Sequence, residues 1–303
     1  MQPLNLDRSD SPLWIVTGSN GFLGRAICSA INTRWGPDRL VPLSRAQLDL
    51  TNGLLVSRVL KRGAPAIVVN SAGYTAVDKA ESEVEVARLA NVQAVRNLVR
   101  ALRHRSDTLF VQISSNYVFS SSTVRLIREG DSTNPVNVYG SLKAEAEAVA
   151  LSSGLRTAVI RTAWLFGDSP TCLPARFLRQ MREGQRVVAA RDEFGNPSYV
   201  TDVAERVIDL SYRMYASNRM SGIFHAVNSG YTSRSGLASH LARISGMAVE
   251  SVVPCLRSEF QSPAQRPFSA VLTDDASLEL GLVPLRAWDV ALIEALPALR
   301  RAL

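Results

Sequence analysis

The sequence has little of what marks a membrane, secreted or metal-binding protein. No run among its 303 residues approaches the ~18 consecutive apolar positions of a transmembrane helix, so no membrane partner is expected. The opening stretch, MQPLNLDRSDSPLW, has no apolar segment before Leu13, which argues against a secretory signal. Cysteine occurs three times (Cys28, Cys172, Cys255), an odd number of widely separated positions that makes neither a disulfide framework nor a zinc site. The histidines, His104, His225 and His240, lack ligand spacing, so no metal residues are assigned. A reducing cytoplasm is the expected compartment. Lysine is also scarce: Lys61, Lys79 and Lys143 stand against 31 arginines. A chain so biased toward arginine keeps lysine where a compact ammonium is needed and a planar fork does not fit.

The formal charge is +7, yet no Lys/Arg run exceeds two and no basic motif is interleaved with aromatics. This excludes an evident nucleic-acid partner and suits an anionic small-molecule ligand. With 46% hydrophobic and 20% charged residues, the chain has ample material for a core. Strands are expected at Leu13–Thr17, Leu40–Leu43, Ala66–Asn70, Thr108–Ser114 and Thr157–Thr162, with helices over about Phe22–Arg34, Val84–Arg103 and Val138–Leu151. Such alternation predicts an α/β fold: a doubly wound parallel Rossmann sheet with a smaller, interleaved C-terminal substrate lobe. The dinucleotide-binding domain is assigned to 1–163 plus about 198–228, and the substrate-binding lobe to about 164–197 plus 229–303.

Thr17-Gly18-Ser19-Asn20-Gly21-Phe22-Leu23-Gly24 follows the first strand and opens the first helix. Glycines at 18, 21 and 24 permit a tight turn and close backbone approach to a pyrophosphate, which then faces free N–H groups at a helix N-terminus. The second strand ends Leu43-Ser44-Arg45, without the acidic residue that meets a free ribose 2′-hydroxyl. A hydroxyl and a guanidinium suit a 2′-phosphate, so NADPH is expected as cofactor, with NADH the alternative.

Tyr139-Gly140-Ser141-Leu142-Lys143 sets a phenol and an ammonium four residues apart on one helical face. A nearby ammonium is expected to lower the phenol's pKa and make it a usable general acid toward a carbonyl. Ser114 and Ser115, just past the fourth strand, each offer a hydroxyl to the same carbonyl oxygen, and chemistry alone does not choose between them.

These motifs resemble the extended short-chain dehydrogenase/reductase family, and more closely its dTDP-4-dehydrorhamnose reductase branch. The resemblance is carried by TGSNGFLG, NSAGYTAVDKAE (70–81), SSNYVF (114–119), NVYGSLKAEAE (137–147), RTAWLFG (161–167), RDEFGNPSYVTDVA (191–204), GIFHAVNSG (222–230) and AQRPFSAVL (264–272). It implies Ser115 in the place of the family's active-site Thr, Tyr139 as proton donor and Lys143 as its electrostatic partner. Cofactor contacts are implied for Gly18, Asn20, Gly21, Phe22, Leu23, Ser44, Arg45, Asp49, Leu50, Ala72, Gly73, Thr75 and Asn91, besides Tyr139 and Lys143. Asn116, Trp164 and Arg266 become candidate substrate contacts, while Lys79 and Glu81 pack or pair near the third strand. Departures from the pattern include Asn116 for an Asp, the stretch Gly167–Cys172, and Arg234 where a Trp is common.

The resemblance implies NADPH-dependent reduction of the 4-keto group of a nucleotide-activated 6-deoxysugar. Two alternatives stay open: a reductase of the same mechanism acting on another ketone, and a non-catalytic NADP-binding subunit resembling the β subunit of methionine adenosyltransferase. A homodimer is left open.

Overall fold

The computed structural model describes residues 11–61, 65–217 and 220–302; the N-terminal stretch considered above for a signal lies largely outside them. Strands β1 (Trp14–Thr17), β2 (Leu40–Leu43), β3 (Ile67–Asn70), β4 (Leu109–Ser115), β5 (Arg156–Thr162) and β6 (Ser221–His225) form one six-stranded parallel sheet in the order β2-β1-β3-β4-β5-β6. The principal helices are α1 (Phe22–Trp35), α2 (Gly53–Lys61), α3 (Ala94–Leu102), α4 (Val138–Leu151), α5 (Leu173–Arg182), α6 (Val200–Ala216), α7 (Arg234–Ser245) and α8 (Trp288–Arg301).

Every residue of β1, β3, β4 and β5 is buried, as parallel strands between two helical layers require. Alternate side chains go to opposite faces. Trp14, Val16, Val69 and Val111 pack with Ile27 and Ile31 of α1 and Val203 and Val207 of α6. Ile15, Val68, Phe110 and Val159 pack with Leu60 of α2, Leu98 of α3 and Ala146 of α4. The strand order reverses between β1 and β3, and the crevice outside their carboxyl ends is where this architecture binds ligands.

The single helix expected over Val84–Arg103 is interrupted: Val84–Arg88 passes through a π-helical turn, Leu89–Gln93, into α3. Strand β6 and helix α2 were not foreseen. β6 lies at the sheet edge with only Phe224 and His225 buried, so its sequence carries a weak apolar signal. Beyond Trp164, helices α5, α7 and α8 build a second core around Leu178, Leu237, Leu241 and Leu292, beside the paired strands Val187–Ala190 and Val252–Cys255. Phe22 and Tyr199 pack against both cores. Among the described residues no helix is long and apolar enough to cross a membrane.

Among the described residues two ion pairs have both side chains buried, Arg206–Asp274 and Arg161–Glu147. Arg161 of β5 donates from Nε and Nη2 to the two carboxylate oxygens of Glu147 on α4, at 3.0 and 2.7 Å, and from Nη1 to the Glu129 carbonyl. Both side chains are at most 5% exposed. Removing one partner strands a charge in low dielectric, whereas replacing both does not. Glu147→Ala is therefore expected to cost about 3–5 kcal/mol in urea unfolding, and Glu147→Met combined with Arg161→Met much less. Equal losses in the two variants would contradict this.

Candidate active site

The Gly-rich turn takes its shape from close backbone approach. Gly18 has φ +69°, and a β-carbon there would lie 2.6 Å from the Ala72 nitrogen, so no other residue fits between the ends of β1 and β3. Gly21 N–H closes the turn on the Gly18 carbonyl at 2.8 Å, and α1 begins one residue later. The Ser71 hydroxyl donates to the Thr17 carbonyl at 2.6 Å and ties the two strand ends together.

Gly18, Asn20, Gly21, Arg45, Asp49, Leu50, Ala72 and Gly73 line one cavity of about 230 Å³ at this reversal of strand order. Asp49 accepts from the Thr51 N–H and hydroxyl, which holds its carboxyl below the usual range. Ser44, expected beside Arg45, is not among the residues lining the cavity. Its N–H and hydroxyl both donate to Gln47 Oε1, at 2.9 and 2.8 Å, so it orders the loop that presents Arg45.

A second cavity, about 490 Å³, shares Gly21, Ser71, Ala72 and Gly73 with the first and continues past the ends of β4 and β5. Phe22, Leu23, Thr75, Asn91, Ser115, Asn116, Tyr139, Lys143 and Trp164 all line it. Ser115 ends β4, and its oxygen accepts from the Tyr117 N–H at 3.2 Å as the cap of a short 3-10 turn. Asn116 is buried and donates to the Ala270 carbonyl at 3.2 Å. The first turn of α4 is fixed by two acceptors: Asn137 takes the Gly140 N–H at 2.8 Å, and Glu81 takes the Val138 N–H at 2.9 Å. Such acceptors satisfy N–H groups a helix leaves open. Glu81 thus pairs with the helix that carries Tyr139 and Lys143.

Tyr139 and Lys143 are both buried. The structure reverses one electrostatic expectation. Burial pushes the Tyr139 phenol up to about 12, opposed by a hydrogen bond with Ser115. Lys143 is not among the groups that shift it; the ammonium donates to the Ile113 carbonyl at 2.6 Å. Burial also brings Lys143 down to about 8, with the Glu147 carboxylate one turn away pulling the other way.

Asn91 sits in the π-helical turn and clamps the loop after β3. Its Oδ1 accepts from the Tyr74 N–H at 2.8 Å and its Nδ2 donates to the Tyr74 carbonyl at 3.1 Å. Both polar ends of the side chain are spent on backbone, so Asn91 shapes the cavity wall. π-turns recur at functional sites for such reasons.

Sequence reasoning missed a polar chain beneath the site. The Thr17 hydroxyl donates to Asn70 Oδ1 at 2.7 Å, Asn70 Nδ2 to Gln112 Oε1 at 2.8 Å, and Gln112 Nε2 to the Ile113 carbonyl, which also receives Lys143. Thr17, Asn70 and Gln112 are register neighbours on β1, β3 and β4. Matched polar residues near the ends of three apolar strands were the available signal.

A third cavity, about 680 Å³, adjoins the second and carries Arg176, Arg234, Arg257 and Arg266 with Glu193. Arg266 lies here and not in the cavity of Tyr139, and a two-pronged pair with Asp78, at 2.7 and 2.8 Å, engages its guanidinium. Trp164 has φ +37°, a left-handed conformation that bulky residues avoid, and its indole lies under Arg234.

Known proteins share the fold and sequence pattern of this chain. The family model described as the RmlD substrate binding domain matches residues 14–301. A dTDP-4-dehydrorhamnose reductase of Streptomyces griseus is 36% identical over 95% of this chain and 94% of its own. A dTDP-4-keto-6-deoxy-D-glucose reductase of Streptomyces niveus is 32% identical over 94% of this chain and 97% of its own. Among solved structures, the dTDP-4-dehydrorhamnose reductase of Bacillus anthracis, in complex with NADP, superposes with a TM-score of 0.87 at 26% identity, covering 95% of this chain and 99% of that one. The chain belongs to the RmlD substrate binding domain family, the dTDP-4-dehydrorhamnose reductase-like branch of the extended short-chain dehydrogenases/reductases.

Proposed function

We propose that the chain is an NADPH-dependent reductase of the 4-keto group of a nucleotide-activated 6-deoxysugar. One observation carries the reading: Ser115, Tyr139 and Lys143, all buried, line a single cavity that shares Gly21, Ser71, Ala72 and Gly73 with the crevice at the reversal of strand order. The residues present fit the cofactor. Gly21 caps the start of α1 on the wall shared by both cavities, the helix N-terminus a pyrophosphate would face, and among the described residues the Ser114 and Thr162 hydroxyls, both on the wall of the Tyr139 cavity, are buried without a hydrogen-bond partner. Arg45, with no acid at the end of β2, favours a 2′-phosphate, and the Bacillus anthracis relative is described in complex with NADP. When bound, NADPH supplies the hydride.

The chain's own residues manage the proton and the charge. At neutral pH the Tyr139 phenol keeps its proton, the form a general acid needs, and gives it to the carbonyl oxygen as negative charge grows there. Ser115, on the wall of the same cavity as Tyr139, donates to the same oxygen and fixes its position. Lys143 lines the same cavity one helical turn away, its ammonium on the Ile113 carbonyl, where it would hold the ribose hydroxyls of the cofactor. Burial withholds water, which strengthens each of these interactions. A purely binding subunit needs no such set, which weighs against the regulatory-subunit alternative. Asn116 and Arg234, both on the cavity wall and both departures from the branch pattern, bear on which 4-keto sugar is taken.

The test is NADPH oxidation at 340 nm with dTDP-4-keto-L-rhamnose generated in situ. Wild type is expected to turn over and Tyr139→Phe to lose ~100-fold or more in kcat, with the NADPH Kd within about threefold. Unchanged turnover in Tyr139→Phe would overturn the assignment.

The buried ammonium also makes a stability prediction. Lys143 titrates near 8 in the fold and near its ordinary 10.5 when unfolded, so below pH 8 the native state carries the whole penalty of the charge. Lys143→Met is expected to be more stable than wild type at pH 7, by on the order of 3 kcal/mol, while losing activity. The gap narrows as pH rises from 8 toward 10. A gap that widens over that range would contradict the analysis.

A further inference from the structure

We infer that Arg234 binds the diphosphate of the substrate and so decides that the ligand is a nucleotide-linked sugar; the inference rests on the nucleotide-sugar reading above. The cavity containing Tyr139 and the arginine-rich cavity beside it are lined in common by Tyr117, Thr171, Leu173 and Arg234. Of these four only Arg234 is charged. A sugar whose keto carbon meets Tyr139 has its anomeric phosphate pointing away from that carbon. In a ligand that runs from one cavity into the next, the diphosphate therefore lies at the junction, where Arg234 stands.

The guanidinium is built in rather than loose. It lies over the Trp164 ring with its carbon 3.6 Å from the centroid, and its Nε and Nη2 both donate to one oxygen of Glu193, at 3.0 and 2.8 Å. The side chain is 17% exposed, and among the described residues Nη1 has no hydrogen-bond partner. Trp164 is itself fixed: it holds the left-handed backbone noted above, and its indole lies against Gly195, where a β-carbon would come within 2.6 Å of the ring. Stacking and the single carboxylate oxygen orient the fork and leave one edge for a phosphate, the geometry for which arginine is suited and lysine is not.

Isothermal titration of the NADP-saturated protein with dTDP and with thymidine tests this directly, on wild type, Arg234→Met and Arg234→Lys. Methionine keeps an unbranched stem on Trp164 and removes the charge. Wild type is expected to prefer dTDP to thymidine by ~100-fold, and Arg234→Met to lose ~30-fold or more for dTDP while thymidine binding stays within about twofold. Arg234→Lys, with charge but no fork, is expected to fall between them. Undiminished dTDP binding by Arg234→Met, beside a wild type that still prefers dTDP, would overturn the inference and leave the nucleotide-sugar reading standing. Equal losses for dTDP and thymidine would also overturn it. A wild type that binds neither would overturn the nucleotide-sugar reading, and the inference with it.

Discussion

The site depends on how closely α4 lies against the end of β4. At Gly140 the two backbones meet with no room for a side chain: a β-carbon there would sit 2.1 Å from the Tyr117 carbonyl oxygen. That approach brings successive turns of one helical face into the strand ends. Tyr139 meets Ser115, Lys143 reaches the Ile113 carbonyl, and Glu147 meets Arg161. Asn137 and Glu81 fix where the helix starts, and Asn137 also donates to the Gln265 carbonyl, which links the helix to the later half of the chain.

Closeness has an electrostatic consequence. A helix pressed onto a buried sheet desolvates whatever it carries, so both titrating groups move toward their neutral forms: the phenol upward, the ammonium downward. For the phenol this favours the proton-donating form. For the ammonium it is a strain on stability, offset in part by Glu147, which Arg161 in turn anchors. The polar chain from Thr17 through Asn70 and Gln112 reaches the same Ile113 carbonyl. The cofactor loop and the lysine thus rest on one hydrogen-bonded frame.

Much of this was legible in the sequence, because strand and helix periods and the turn glycines act locally. The helix over Val138–Leu151 and the strand at Leu40–Leu43 appear with the bounds read from the pattern. The choice between Ser114 and Ser115 was not legible from chemistry. In the structure Ser115 is the serine that acts on the Tyr139 phenol, while among the described residues the Ser114 hydroxyl has no hydrogen-bond partner. The direction of the Tyr139 shift was also hidden, since spacing gives the neighbour's charge but not the degree of burial. Arg266 and Asp78 are 188 positions apart, and no local rule brings them together. The π-turn at Asn91 was invisible for a similar reason, because Asn91 bonds there to the Tyr74 backbone 17 positions away.

The central claim, that backbone contact at Gly140 sets the catalytic geometry, is tested most directly by the kcat of Gly140→Ala. Alanine suits a helix better than glycine, so the helix itself is not weakened. The added methyl must push α4 off the Tyr117 carbonyl and carry the Tyr139 phenol away from Ser115. A displacement of about 1 Å at reacting groups costs up to ~100-fold in rate. The account predicts a kcat reduced ~10- to 100-fold with NADPH affinity and secondary structure close to wild type. A Gly140→Ala protein with wild-type kcat would contradict it.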